Sequence, residues 1–453
     1  MNSMTVRSIR CIRVEKLFGH HDYSLCIPEG EKQGSKILIL YGDNGSGKTT
    51  ILKLAFHLLA PEGKEGHRTF VAPIPFRRFE IELMDGTKVI AERLQPQITG
   101  SFTMRVKIPR KKEAKIDFIS DENFSVKAAS EDPNTPIGQF LSILRSLELG
   151  LYMLSDDRQI HLAGRSQGRS GPLIEMDFPD EYDVMDPQTR ARRERREGID
   201  PEKTAQYLLL QSMKRAESWI RRRAMLGSSL GESNVNTLYN EILKRLVTLP
   251  QAEQIDTIST KQSIEKRVSK LERDCTAFAK YGLMPRFQGK EILAAVSMTL
   301  SRNLGIIANV LNPYLESLEK KLEALADIYR RVDSLISVIN RFLTNKTLTF
   351  DLHTGLTVTA NGNTVLTPQM LSSGERHLFL LFCNSLVAVD RPSIMMIDEP
   401  EISLNVKWQR TLLSSLLECV GDSPVQYIFA THSIELLAQH KDRVIKLEDL
   451  VKD

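Results

Sequence analysis

The run Gly42-Asp43-Asn44-Gly45-Ser46-Gly47-Lys48-Thr49 fills every fixed position of the pattern GxxxxGK[ST]. Residues so spaced bind phosphate. Gly42, Gly45 and Gly47 let the loop's N–H groups, with that of Asn44, curl around phosphate oxygens, and the helix that follows adds its positive end. Lys48 is expected to reach the β- and γ-phosphates, Thr49 to ligate Mg2+ through its hydroxyl, and Thr50 to add a phosphate contact. Far downstream the apolar run Ile394-Met395-Met396-Ile397 ends in Asp398-Glu399, so a buried strand delivers two carboxylates at its C-terminal end. Asp398 suits Mg2+ and Glu399 suits polarising a water. Phosphoryl transfer asks chiefly for positioning and charge neutralisation, and a positioned base adds ~10²–10⁴ in rate. His432, in Ala430-Thr431-His432-Ser433, ends a further strand, where a neutral imidazole can hydrogen-bond a γ-phosphate. Leu371-Ser372-Ser373-Gly374-Glu375 precedes a helix. Ser372 or Ser373 caps it with a glutamate in the first turn, and the hydroxyls and amides of Ser372, Ser373 and Gly374 form an anion-ready helix start.

Elements of matching character surround these residues. Lys36–Tyr41 is a largely apolar run of the kind found in parallel strands buried on both faces. Helical spacing follows over Thr49–Leu59, stopped by Pro61. Two alternating segments flank Asp85-Gly86, a hairpin signal, and another strand is expected at Phe102–Ile108. A short strand at Leu151–Leu154 precedes Ser155-Asp156-Asp157-Arg158. A loop or linker is expected over about 163–200. Residues 200–345 read as helical. There Leu311, Leu315, Leu318, Leu322, Leu325, Tyr329, Val332, Ile336, Ile339 and Leu343 alternate steps of four and three, with Pro313 near the start of the run. The seam suits a short helical hairpin or dimer contact, and equally an ordinary long core helix. Strands return at Thr347–Leu352 and Leu356–Ala360, and the last strand is expected at Tyr427–Ala430.

Composition excludes several classes. The net charge of +4 over 453 residues does not by itself argue for nucleic acid. Five cysteines, Cys11, Cys26, Cys275, Cys383 and Cys419, lack CxxC spacing, which fits a reducing compartment and no structural zinc. The start lacks the apolar core of a signal peptide, and no apolar run is long enough to cross a bilayer. A cytoplasmic protein without a membrane partner is expected. One local exception is a basic stretch over 186–223, with eleven Lys/Arg against six Asp/Glu, a candidate for nucleic acid or an acidic protein.

Together the motifs resemble the ABC ATPase superfamily. Leu371-Ser372-Ser373-Gly374-Glu375 matches the signature LSGGQ, with Ser373 in place of its first glycine and Glu375 in place of its glutamine. Asp398-Glu399-Pro400-Glu401-Ile402-Ser403-Leu404 and Leu17-Phe18-Gly19-His20-His21-Asp22-Tyr23 resemble the OLD-like and RecF-like group, except that Asn405 stands where that group commonly carries histidine. The resemblance implies an α/β fold: an ABC ATPase head with a phosphate-loop core, split by a mostly helical insertion containing a short coiled-coil-like hairpin. An N-terminal lobe over 1–160, a linker and insertion over 161–345 and a C-terminal lobe over 346–453 would follow. ATP and Mg2+ are the implied cofactors. Catalysis would fall to Glu399 and His432, metal binding to Thr49 and Asp398, and the sandwiched nucleotide would meet Ser372, Ser373 and Gly374 of a second subunit in a homodimer or higher oligomer. Gln95, Gln97 and Gln159 remain candidates for the family's conserved loop glutamine, and Arg158 for a nucleotide-side arginine. OLD proteins carry a C-terminal nuclease domain, and this chain is expected to lack one. That arrangement resembles the ATPase subunits of the PARIS anti-phage systems: sensors of a phage trigger that control a separate nuclease, of TOPRIM type, with an HNH partner as the rival. A RecF-like DNA-repair or DNA-loading ATPase is the alternative.

Overall fold

The computed structural model describes residues 7–27, 36–62, 66–128, 136–156, 160–163, 201–231, 244, 257–299, 303–360, 364–438 and 440–447. The chain packs as two compact units, one of Met1–Gln211 with Ser372–Asp453, the other of Ser212–Leu371.

The first unit contains two sheets. Strands β1 (Ile9–Leu17), β2 (His21–Cys26), β4 (Arg78–Leu83), β5 (Lys88–Glu92), β6 (Phe102–Lys107), β7 (Ala114–Ser120) and β8 (Val126–Ala128) form an antiparallel sheet in the order β2-β1-β4-β5-β6-β7-β8. The second sheet runs β10-β9-β14-β15-β3-β16, with β3 (Ile37–Tyr41), β9 (Gly150–Leu154), β10 (Ile160–Ala163), β14 (Ser393–Asp398), β15 (Val425–Thr431) and β16 (Val444–Lys446). All of these but the edge strand β10 pair in parallel. Helices α1 (Lys48–Leu59), α2 (His67–Val71) and α3 (Pro136–Arg145) follow in chain order. Because side chains alternate along a strand, Leu38, Leu40, Met153, Ile394, Met396 and Ile428 point one way, into a core shared with α1 and the inner residues of the antiparallel sheet. On the opposite face Tyr152, Leu154 and Met395 meet Leu380, Leu381 and Asn384 of the helix after the serine-rich turn.

The expected strands and first helix are present, and Gly86, at φ 81°, turns the hairpin between β4 and β5. The expected last strand is not last: β16 adds in parallel beside β3. With only three residues, Val444–Lys446 is too short to leave a periodic trace.

Cys11 and Cys26 face each other across β1 and β2 and are disulfide-bonded, while Cys275, Cys383 and Cys419 are buried thiols. Strand register, invisible to a cysteine count, makes that pair. No helix among the described residues is long and apolar enough to cross a membrane.

The second unit holds most of α4 (Pro201–Gly231), with α5 (Thr257–Ala279), α6 (Gly289–Met298), α7 (Leu304–Phe342) and the three-stranded sheet β11 (Lys346–Asp351), β12 (Gly355–Ala360) and β13 (Thr364–Leu366). These strands, expected in the C-terminal lobe, group with the helices: Asn340 of α7 exchanges hydrogen bonds with Leu348 of β11 at 2.9 and 2.7 Å. Helix α7 has 39 residues, about 58 Å at the usual rise. It begins before the expected seam, so Pro313 lies inside it and removes one backbone donor. Helix α4 meets α7 and β12 in opposite chain order, Gly227 against Leu325 and Glu217 to the Leu356 N–H. Helix α5 instead runs parallel to α7, with Arg267 on Glu319 at 2.9 Å and the Tyr281 hydroxyl, just beyond α5, on Asp333 at 2.5 Å. Ile328, Leu335, Val338 and Phe342 are buried beside the seam residues, so the second half of α7 is a broad-faced core helix.

Candidate functional site

Parallel pairing places three strand ends level. Asp398 of β14 stands opposite Ala430 of β15, and Ala430 opposite Leu40 of β3. The phosphate loop, the two carboxylates and the histidine therefore emerge at one edge, the C-terminal edge where α/β sheets bind ligands.

The loop after β3 takes the shape its glycines permit. Gly45 and Gly47 have φ of 85° and 90°, in the left-handed region. A Cβ on Gly47 would lie 2.8 Å from Leu17 Cδ2, so the turn between β1 and β2 packs directly on the loop. Lys48 is 5% exposed, and its ammonium donates to the carbonyls of Gly42 and Asp43 at 2.8 and 3.0 Å. Ser46 Oγ is buried without a partner. The Thr49 hydroxyl donates to Asp398 Oδ1 at 3.0 Å. Asp398 is 1% exposed and its Oδ2 has no partner. Burial pushes its carboxyl above the usual range, against the pull of Thr49 and Lys48.

Glu399 sits at φ 46°, a strained setting for a residue with a Cβ. Its N–H donates to the Ala430 carbonyl at 2.8 Å. Its carboxyl, pushed up to about 7 by burial and by Glu401 nearby, lies 2.7 Å from His432 Nδ1. His432 partly opposes that rise. One proton serves this contact: Nδ1–H donates to a carboxylate, or a protonated carboxyl donates to Nδ1. Nε2 is left to face a ligand. Glu399, Glu401 and His432 place one ligand atom each within 4.8 Å of one another, the single group of this kind among the described residues.

Ser372 caps α8 (Ser373–Ala388) in a complete capping box. Its hydroxyl accepts from the Glu375 N–H at 3.3 Å, and Glu375 accepts the Ser372 N–H at 2.7 Å. The glutamate that departs from LSGGQ thus caps the helix. A Cβ on Gly374 would lie 2.5 Å from the Ser403 carbonyl oxygen, so the glycine is required for the start of α8 to approach the acidic loop. Gly374→Ala is expected to lower unfolding stability by ~1–3 kcal/mol, measured as a shift of the denaturant midpoint. Asn405, in the position of the missing histidine, caps α9 (Val406–Val420) by accepting the Trp408 N–H at 3.0 Å.

Thr50 lies in the first turn of α1, half-buried, and Asn44 is exposed on the loop. Gln95 and Gln97 are both exposed in the turn after β5. Arg158, Gln159 and residues 186–200 of the basic stretch lie outside the described residues. Within the described part of that stretch, Arg221 donates to the carbonyls of Leu352 and His353 at 3.0 and 3.3 Å, and Arg223 lies over the Trp219 ring. Two residues escaped the sequence reading. Glu401 binds the turn after β15, a role its place in Asp398–Leu404 does not disclose. The buried amide of Gln426 joins the sheets by accepting the Ile9 N–H at 2.7 Å and donating to the Ile9 carbonyl at 2.9 Å.

A family model described as "AAA domain, putative AbiEii toxin, Type IV TA system" matches residues 232–438, a little under half of the chain. Over 82 residues, 18% of this chain, the chain is 34% identical to the lipoprotein-releasing system ATP-binding protein LolD of Ruegeria sp. (strain TM1040). Over 82 residues it is 29% identical to the spermidine/putrescine import ATP-binding protein PotA of Marinobacter nauticus. These matches span 34% and 21% of those proteins, so the chain covers only about a third or less of their length. Among solved structures, the Smc head domain with an extended coiled coil from Pyrococcus furiosus, bound to the C-terminal domain of ScpA, aligns at TM-score 0.40 and 12% identity, covering 97% of this chain and 94% of that one.

Proposed function

We propose that this chain, whose fold is an ABC-type ATPase head divided by a helical insertion, binds ATP with Mg2+ and hydrolyses it. The observation that carries the reading is the Thr49 hydroxyl 3.0 Å from Asp398 Oδ1, two groups 349 residues apart in sequence. The pair, with the unpartnered Asp398 Oδ2 beside it, has the oxygen chemistry that Mg2+ prefers. Bound there, Mg2+ would supply charge neutralisation for the phosphates. Lys48 leaves its own loop carbonyls for the β- and γ-phosphate oxygens, and the N–H groups of Gly45 and Gly47 and the start of α1 hold the rest. Glu399 orients and deprotonates the attacking water, with His432 Nδ1 on its carboxyl and Nε2 toward the γ-phosphate. Lys48→Ala is expected to abolish ATP binding, read by titration with a fluorescent ATP analogue. Unchanged affinity would remove the loop from this role.

The finer reading is an oligomeric sensor in anti-phage defence whose ATP-clamped heads, with Ser372, Ser373 and Gly374 facing the neighbour's nucleotide, control a separate nuclease. It resembles AriA of the PARIS system. Its support is the likeness of Asp398–Leu404 to OLD-like ATPases and the toxin–antitoxin description of the matching family model. Co-purification with the product of the adjacent gene tests it: a nuclease retained in ATP supports it, and a repair factor favours the RecF-like alternative. For that alternative, DNA affinity should fall steeply with added salt.

A further inference from the structure

We infer that Glu401 is the positioning residue for His432, holding the end of β15 so that the imidazole stands where it can read the γ-phosphate. A single oxygen, Glu401 Oε1, accepts the Thr431 hydroxyl at 2.5 Å, the Ser433 N–H at 3.1 Å and the His432 N–H at 3.3 Å. Three successive residues are tied to one atom. Thr431 Oγ1 also accepts the Ser433 N–H at 2.9 Å, which closes the turn on itself. The anchor is rigid because Glu401 is 7% exposed and the donors around it are mostly backbone groups. Its other oxygen, Oε2, is buried with no partner, an arrangement that costs stability and persists only where the surroundings enforce it. His432 itself is half in solvent, its side chain 56% exposed, so packing alone does not set its direction. Glu401 supplies that constraint from below, while Glu399 Oε2 holds the ring from the side at 2.7 Å. Glu401 has no part in the Thr49–Asp398 pair; it reaches the nucleotide through the histidine turn, and its charge also helps to raise the Glu399 carboxyl.

This inference rests on the ATPase reading, and its test separates the two. Wild-type protein, Glu401→Ala, Glu401→Gln, His432→Ala and the double variant Glu401→Ala/His432→Ala are assayed for ATP hydrolysis and for binding of a fluorescent ATP analogue. No turnover in the wild type defeats the ATPase reading itself. Given wild-type turnover, Glu401→Ala is expected to lower kcat on the order of 10²-fold with KM and analogue affinity near the wild-type values. The double variant should be no slower than His432→Ala alone, since residues acting as one unit are not additive. Glu401→Gln keeps an acceptor oxygen for Thr431 and both N–H groups and should recover most of the rate. It also covers the case in which the alanine variant does not fold. Multiplying losses in the double variant, a loss confined to KM, or a glutamine variant as slow as His432→Ala would each overturn the assignment.

Discussion

Glu399→Gln is expected to bind ATP as the wild type does and to hydrolyse it ~10²–10⁴-fold more slowly. The substitution leaves every phosphate-holding group in place: Lys48, Thr49, Asp398 and the loop glycines lie on other parts of the edge. It keeps an oxygen that can accept from His432 Nδ1, so the 2.7 Å contact survives. What disappears is a group able to take a proton, because an amide oxygen is a far weaker base than a carboxylate whose pKa is pushed up to about 7. Single-turnover hydrolysis beside equilibrium binding separates the two effects. If the ATP-clamped dimer is correct, the same variant accumulates it, and sedimentation with ATP and Mg2+ shows a heavier species that wild type loses as nucleotide is consumed. Wild-type turnover in Glu399→Gln would remove this residue as the base.

Arg93→Met is expected to lower unfolding stability by ~2–6 kcal/mol, about 1–3 for each of the two carbonyls, Ile74 and Phe76, left without a donor, and to weaken ATP binding as a consequence. Arg93 is 5% exposed and donates to four carbonyls, those of Val71, Ala72, Ile74 and Phe76, at 2.9 to 3.1 Å. Its guanidinium also lies 4.1 Å from the Phe76 ring centroid. Burial holds its pKa down to about 10, and carbonyl dipoles and an aromatic face compensate the charge. Methionine fills similar volume but leaves carbonyl oxygens without these donors, at ~1–3 kcal/mol for each one left unsatisfied. The effect reaches the site through one short path: the Phe18 N–H donates to the Pro75 carbonyl at 2.8 Å, and Leu17 packs on Gly47. Denaturant unfolding and analogue titration measure the two outcomes. Arg93→Lys, which keeps the charge and one or two of the bonds, should fall between.

The legible parts of this protein are those whose geometry is set within a few residues. The left-handed turns at Gly45 and Gly47, the cap at Ser372 and the buried strand before Asp398 each follow from local residue types. A capping box was readable from serine followed three places later by glutamate, and it is present as such. The seam in α7 was readable as well, but its surroundings were not. Steps of three and four describe one face of a helix and say nothing of the parallel α5 or of how much wider the buried stripe becomes.

Residue types and spacing by themselves determined that this chain carries a phosphate loop, two carboxylates at a strand end and a histidine at another. Tertiary structure decided that they meet, because β3, β15 and β14 lie side by side in parallel register and bring Thr49 to Asp398 and His432 to Glu399. It also decided the roles of Glu401, Gln426 and Arg93, which have no distinctive local pattern. The physical reason is that a polar side chain's role depends on which donors and acceptors surround it, and for a buried group those come mostly from segments far away in sequence.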